Sequence, residues 1–589
     1  MKRMMRLLAR NLYYYRVDYI RTLLISRLFQ LFIVVPLVSL LFTLLLDLLN
    51  INTITEQNLI TMLGHPLTIA MLALIALIIL LFIYYEMGFL MLLAYHQQRA
   101  IPYTWKSLWK RLNQKVLYFL NLQTVVLVFY LLLIIPLISS VLPVSILQDL
   151  QIPRFIVDEL LASTKGTIMY VSVIGVLLLI NLRFIFMLPF FTIYQWTSIW
   201  QAMIMSWHFS KRRLIEVLGM LAFIIIMYAS VVATLLVLAF TPLYFIERIM
   251  PQWGIVTAAV TLTIVQGVLV ISFTFLQAIF SQILVFVAFY LTHDKPLIEQ
   301  PESFRKTILH TTIVVGLYTF FLMIGINLVN LEKNIYSPDT YVIAHRGFME
   351  HGVENTMSSI EASAQAGADM IEIDIQQTKD GQFAVFHDAT LSRLAGRSES
   401  VYDLTLEELT QITVRAGGLS DQIPSLAAVL AQSKELGVKL LIEIKTHGHE
   451  TPDFLDLFIQ QLAEANVLDV HYIQSLDSEL MLTLEDKEPR LITGLVYAMA
   501  MGSIPETDAD FVAIEQFFAS GRLIDQAQKM DKEIFVWTVN TDRSLQKFYE
   551  LKVDGIITNH PDTAASLREI FSQDEFFMRR VLNKMNVIF

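Results

Sequence analysis

Apolar residues fill long, unbroken runs through the first 330 positions and short, interrupted ones after about 338. Runs long enough to cross a bilayer, about 20 residues each, lie near 28–48, 67–95, 117–143, 167–195, 215–245, 255–291 and 308–329. They predict seven spanning helices, the sixth long enough to hold a break around Gln277 and Gln282. From 338 onward strand-like and helix-like patterns alternate. Strands are predicted at 341–345, 370–375, 439–444, 470–475, 491–497, 511–515, 534–539 and 555–558, with helical patterns such as 355–366, 425–436, 453–466, 521–530 and 542–551 between them. Eight β/α units over roughly 235 residues have the size and rhythm of an α/β TIM barrel. The connection after the second strand, about 376–424, is overlong and predicts an insertion over the mouth.

The chain therefore divides into a multi-spanning helical membrane domain at 1–335, an α/β barrel domain at 338–572 and an amphipathic tail at 573–589. The tail sets Phe576, Phe577, Met578, Val581, Leu582, Met585 and Ile588 beside Arg579, Arg580 and Lys584, a pattern suited to lipid or to docking on the membrane domain. Basic residues set orientation. The N-terminal stretch carries Lys2, Arg3, Arg6, Arg10, Arg16 and Arg21, and the segment 96–116 carries Arg99, Lys106, Lys110, Arg111 and Lys115. The segment after 198 adds Lys211, Arg212 and Arg213, whereas 50–66 has no lysine or arginine and 144–166 only Arg154 and Lys165. The N-terminus is expected inside and, after seven crossings of the cell membrane, the barrel outside. Glu86 and Arg183 fall within spanning runs, where ionisable groups face the bundle interior, and are expected to pair. Arg27, near a segment end, carries no expected role, and Tyr13, Tyr14 and Tyr15 read as an interfacial anchor.

Composition supports this division. Hydrophobic residues make up 55% of the 589 positions, and the mean hydropathy is +0.57. A formal net charge of −10 argues against a nucleic-acid binder, because phosphate backbones select basic surfaces. The absence of cysteine excludes disulfides and thiolate metal sites.

The polar residues of the second half carry the chemistry. In the alternating stretch Ile371–Ile375, Glu372 and Asp374 project to one side of the strand. Two adjacent carboxylates repel unless a cation or proton lies between them. The flanking turns carry His345-Arg346-Gly347 and His387-Asp388, so the pattern reads as a metal site equipped with acid and base. Glu443 and Lys445 alternate with isoleucines at another strand end, and Trp537 closes a third. Chemistry in a TIM barrel gathers at these C-terminal strand ends. Gly347 permits a tight turn, and Asn355 is expected to cap the following helix. Glu515 is a further candidate pocket residue, while His351, His447, His449 and His471 read as surface or loop histidines.

These motifs resemble the glycerophosphodiester phosphodiesterase family. The resemblance rests on His345-Arg346-Gly347, Glu354-Asn355-Thr356, Glu372-x-Asp374, His387-Asp388, Glu443-x-Lys445, Trp537-Thr538-Val539-Asn540 and the closing Asp554 to Asn559, in family order across nearly all of 341–562. The spanning half resembles the membrane domain fused to this enzyme in Gram-positive bacteria. One departure is Asn559-His560-Pro561, where an acidic residue is common before the proline; little consequence is expected. The resemblance implies a divalent cation, usually calcium, held by Glu372, Asp374 and Glu443, and the hard oxygen donors suit calcium or magnesium. It implies His345 and His387 as general acid and base, without saying which is which, and Arg346 and Lys445 as phosphate ligands. Glu354 would orient a histidine or contact glycerol, and Trp537 would line the pocket or serve as barrel packing. The implied activity is hydrolysis of glycerophosphodiesters to glycerol phosphate and an alcohol, on soluble, lipid-linked or teichoic-acid-derived substrates. Two alternatives are lysophospholipase D-like cleavage of lipids and a lipid-binding or transport protein with the barrel as a binding module. The oligomeric state is not legible.

Overall fold

The computed structural model describes residues 10–121, 164–290, 306–333, 339–573 and 577–588, apart from 50, 52, 505 and 506, together with a few isolated positions between 122 and 163. Among these residues five helices are long and apolar enough to cross a membrane: Arg16–Leu49, Pro66–Arg99, Thr164–Ile193, Leu221–Ile249 and Pro251–Phe289. The expected span at 117–143 lies mostly outside the described residues. The run at 308–329 falls within the helix Lys306–Lys333, which leads toward the barrel. The sixth run holds no break, since Gly254–Tyr290 is a single helix. The first helix widens through a π turn at Gln30–Val34.

Inside the bundle the expected Glu86–Arg183 pair does not form. Glu86 lies 3.1 Å from Arg27, the cation to which no role was assigned, and Arg27 also donates to Gln277 Oε1 at 2.6 Å. Arg183 instead sets its guanidinium over the Trp207 ring. Burial in an apolar bundle makes an unpaired carboxylate costly, so Glu86 takes the partner that helix rotation brings within reach. Tyr13 and Tyr14 are exposed, as an interfacial pair requires.

The second half is an eight-stranded parallel barrel. Its strands are β1 (Tyr341–Ala344), β2 (Met370–Gln377), β3 (Lys439–Ile444), β4 (Tyr472–Ser475), β5 (Ile492–Tyr497), β6 (Phe511–Glu515), β7 (Glu533–Trp537) and β8 (Gly555–Thr558). Each pairs with its neighbour, and β8 and β2 both pair with β1, so the sheet closes. The strands are apolar and buried on both faces, as parallel strands covered by helices must be. Ile343, Met370, Leu441, Tyr472, Val496, Phe511, Ala513, Phe535 and Ile557 fill the interior. A larger cluster joins the opposite strand faces to the surrounding helices. The overlong connection supplies a short antiparallel strand, Phe383–Val385, beside the end of β2. It also forms a separate hairpin, Thr413–Ala416 with Leu419–Gln422, over its own small core.

The two halves touch. Thr53–Ile54, from the segment between the first two spanning helices, pairs antiparallel with Met501–Gly502 of the barrel. The C-terminal helix Phe577–Ile588 packs Phe577, Met578, Val581 and Met585 against Leu243, Ala258, Ala259 and Leu262 of the bundle and Leu331. A Cβ on Gly254 would lie 2.6 Å from the Phe577 ring, so glycine permits this approach.

Candidate active site

Strand register brings the acidic residues together. Asp374 on β2 lies opposite Glu443 on β3, and Glu443 lies opposite Gln474 on β4. Glu372 stands two residues before Asp374 on the same strand face. All three carboxylates are buried, and one oxygen from each lies within 4.8 Å of the others. Tight hydrogen bonds aim them. The Arg346 backbone N–H donates to Glu372 Oε2 at 2.8 Å, Asn355 Nδ2 to Asp374 Oδ2 at 2.8 Å, and Gln474 Nε2 to Glu443 Oε2 at 2.8 Å.

Asn355 does not cap a helix. It adopts a left-handed conformation (φ 59°), accepts from the Asp374 N–H at 3.0 Å, and leaves Thr356 to open the helix Met357–Gln365. Asn tolerates that region better than most residues do. At Gly347 (φ 79°), a Cβ would lie 2.4 Å from Ser359 Oγ, so the first turn depends on glycine for both conformation and space.

Around the carboxylates lies a cavity of roughly 480 Å³ lined by His345, Arg346, Glu354, Glu372, Asp374, His387, Glu443, Lys445 and Trp537, the site residues expected from the sequence apart from Glu515. Arg346 reaches Glu354 at 3.2 Å and Asp374 at 3.4 Å. Lys445 pairs with Glu443 and lies 3.3 Å from Asp374. Burial raises the Glu372 carboxyl well above its ordinary range, and Asp374 and Glu443 add to the shift. Asp374 moves down despite burial, because Lys445, His387 and Arg346 surround it. Burial would lower the Lys445 ammonium, but Glu443 and Asp374 outweigh it and hold it protonated.

The two imidazoles have different partners. His345 Nδ1 meets Asn559 Oδ1 at 2.7 Å, and burial with the adjacent Arg346 charge lowers its pKa to about 3. His387 Nδ1 meets Asp388 Oδ1 at 2.9 Å. Asn559 therefore matters more than the sequence suggested, because it sets the orientation of His345. Trp537 Nε1 donates to the Ala513 carbonyl at 3.2 Å while the side chain lines the cavity.

Arg393, from the short helix Ser392–Ala395 of the insertion, was missed by sequence reasoning. It grips Glu354 through two 2.7 Å hydrogen bonds and Asp388 through bonds of 2.7 and 2.9 Å. Gln474 was missed as well. It lines the cavity, and its Oε1 is buried without a hydrogen-bond partner among the described residues. Glu515 is buried away from the cavity lining and accepts from the Phe517 N–H at 2.8 Å. His471, expected at the surface or in a loop, lies in the bend just before β4, but it is buried there and accepts from the Leu440 N–H through Nδ1 at 3.1 Å. His351, His447 and His449 are exposed.

Comparison with known proteins places the chain in a family. Residues 5–322 match the membrane domain of glycerophosphoryl diester phosphodiesterase, and residues 345–563 match the glycerophosphoryl diester phosphodiesterase family. The chain belongs to the glycerophosphodiester phosphodiesterase family. A glycerophosphodiester phosphodiesterase of Caldanaerobacter subterraneus is 30% identical over 237 residues, covering 39% of this chain and 97% of that protein. The mouse lysophospholipase D GDPD1 is 24% identical over 286 residues, covering 39% of this chain and 86% of the mouse protein. A solved phosphodiesterase of Oleispira antarctica, in complex with the product sn-glycerol-3-phosphate, is 22% identical. The match covers 38% of this chain and 95% of that one, with a TM-score of 0.36. This family member is thus a phosphoric diester hydrolase with a membrane domain.

Proposed function

We propose that the enzyme is a metal-dependent hydrolase of glycerophosphodiesters, acting at the outer face of the cell membrane through His345 and His387. One observation carries the reading: three buried carboxylates converge in a cavity that also holds two imidazoles and two cations. The donor set fits a hard divalent cation such as calcium or magnesium. Burial raises Glu372 and the clustered negative charge adds to it, which a bound cation would relieve, and Gln474 Oε1 adds another hard oxygen nearby. Glu372, Asp374 and Glu443 would hold it. When bound, it supplies positive charge against the negative charge that builds on the phosphoryl oxygens.

Arg346 and Lys445 turn toward the phosphate and hold its oxygens. His345, kept unprotonated, takes the proton of the incoming hydroxyl, from water or from the glycerol itself, as that oxygen bonds to phosphorus. His387, held by Asp388, gives its proton to the departing alcohol as the old P–O bond breaks. Glu354 and Trp537 shape the glycerol side. The contact of segment 53–54 with the barrel supports the external assignment, because that segment belongs to the stretch without basic residues.

The test is a panel of glycerophosphodiesters, acylated and soluble, offered to detergent-solubilised protein with calcium, with magnesium and with a chelator. Metal-dependent release of alcohol supports the reading. Unchanged turnover in chelator refutes the metal, and full activity in a His345→Ala/His387→Ala variant refutes the acid–base roles. A lysophospholipase D-like preference is a second reading, favoured by the apolar wall Leu476, Val496 and Ala498 beside the charged residues.

A further inference from the structure

The rim of the catalytic cavity is held by the membrane domain. After β5 the chain runs through Ala498 and Met499 to the short strand Met501–Gly502. The ladder with Thr53–Ile54 fixes that strand, and the Glu56 carboxylate accepts from the N–H groups of Met499 at 3.0 Å and Ala498 at 3.4 Å. Gln57 Nε2 donates to the Leu476 carbonyl at 2.9 Å. Met499 enters an apolar cluster made by Ile51, Ile54, Leu59 and Met62 with Leu46 and Leu49 at the end of the first spanning helix. Leu476 and Ala498, two of the residues whose backbones are gripped, line the cavity beside Val496. They form one apolar side of the mouth, facing a lining that includes the charged site residues.

We propose that Glu56 and Gln57 are positioning residues for this apolar wall, and that the clasp adapts the site to glycerophosphodiesters carrying an acyl chain at the bilayer surface. The proposal rests on the hydrolase reading above. It deepens that reading by naming the substrate class and the part of the membrane domain that selects it. Met499, next to the wall, packs on the end of a spanning helix, so a chain leaving the lipid would pass close to the wall, whereas a short soluble diester gains little from it. Glu56 touches no reacting atom, so its loss acts through the placement of Ala498 and therefore on KM.

Lysophosphatidylcholine and glycerophosphocholine share a headgroup and both release choline, so one assay reads both with full-length protein in detergent. Glu56→Ala, alone and with Gln57→Ala, is expected to raise KM for lysophosphatidylcholine about tenfold with kcat within twofold, and KM for glycerophosphocholine less than about threefold. Glu56→Gln, which keeps one acceptor oxygen, should recover part of the loss. Because the chain has no cysteine, an Ile54→Cys/Met501→Cys pair, opposite one another in the ladder, tests the contact itself. It should cross-link under mild oxidation and keep the wild-type KM. Failure to cross-link, equal KM changes for both substrates, or a fall in kcat alone would overturn the proposal. Absence of choline release from either substrate by the wild type would overturn the hydrolase reading instead, with cross-linking still reporting on the clasp.

Discussion

Removing the Arg393 guanidinium should damage catalysis although sequence reasoning assigned this residue nothing. Its four hydrogen bonds tie Glu354 to Asp388, and Asp388 in turn holds the His387 ring. In a dry site each charge-assisted bond would be worth about 1.5–3 kcal/mol. The Arg393 side chain is 36% exposed and Asp388 24%, so solvent screening reduces each to about 1 kcal/mol or less. Glu354 keeps Arg346 at 3.2 Å after the substitution, which leaves mainly the two bonds to Asp388 uncompensated. Arg393→Ala should therefore lose about 2 kcal/mol of orientation at His387, roughly 30-fold in kcat. Lysine should restore only a small part, because one ammonium cannot bridge two carboxylates as a planar fork does. Initial rates of alcohol release, measured for Arg393→Ala, Asp388→Asn and the double variant, decide the matter. If Arg393 acts through Asp388, the double variant is little worse than the worse single one. A loss below threefold in Arg393→Ala, or simple additivity in the cycle, refutes the coupling.

Glu372→Gln should weaken divalent-cation affinity on the order of 100-fold, read by the loss of a calcium-dependent rise in Tm; an unchanged rise would remove Glu372 from the metal site. Metal uptake should release a proton at pH values above the ordinary carboxylate range, because burial, with Asp374 and Glu443, raises Glu372 in the metal-free protein. Affinity therefore strengthens as pH rises. Calorimetry in two buffers of different ionisation enthalpy would show the proton, and identical heats would contradict its release. Asn559→Asp should give the His345 N–H a carboxylate partner and raise the imidazole from its pKa of about 3. A larger share of His345 is then protonated at acidic pH, and the acid limb of kcat/KM moves upward by about one unit or more; an unmoved limb refutes the role of Asn559. The native His345 also predicts a stability slope. The unfolded imidazole takes up a proton near 6.5 and the folded one only near 3, so stability falls as pH drops through that window, and a flat Tm from pH 6.5 to 4 would argue against it.

Much of this architecture is legible in the sequence, for a physical reason. Parallel strands buried on both faces leave compact apolar runs, and all eight barrel strands fall where such runs lie. Carboxylates placed two apart inside those runs have no stabilising reason to be there unless they meet a partner, which is why Glu372, Asp374 and Glu443 stand out. What stayed hidden depends on contacts between distant segments. Arg393 sits in an irregular insertion, 39 residues from the Glu354 it grips, and no periodicity marks it. Gln474 resembles any polar residue near a strand end until register sets it opposite Glu443. His471 stands between Val470 and Tyr472, yet its ring is buried against the Leu440 N–H. In the spanning half, helices apolar all round carry no mark of which face meets which neighbour. The Glu86 partner was therefore misassigned to Arg183.

Rigid and adaptable parts of the site have different origins. The carboxylates stand on neighbouring strands whose register admits no slip without turning every interior side chain outward. Lys445, one residue beyond β3, and Arg346, in the turn after β1, lie at the ends of that frame and now satisfy its excess negative charge. A divalent cation among the same oxygens would compete with both for Asp374 and would leave Lys445 and Arg346 with charge to spend on a phosphate. On the proposed reading the cavity would link cation and diester electrostatically, each making the other easier to hold. The parts outside the frame, Arg393 in the insertion and the rim gripped by Glu56, carry no such burden of charge. On the proposed reading they would decide instead how His387 is aimed and which diesters fit, and a family built on one barrel could vary them without disturbing the carboxylates beneath.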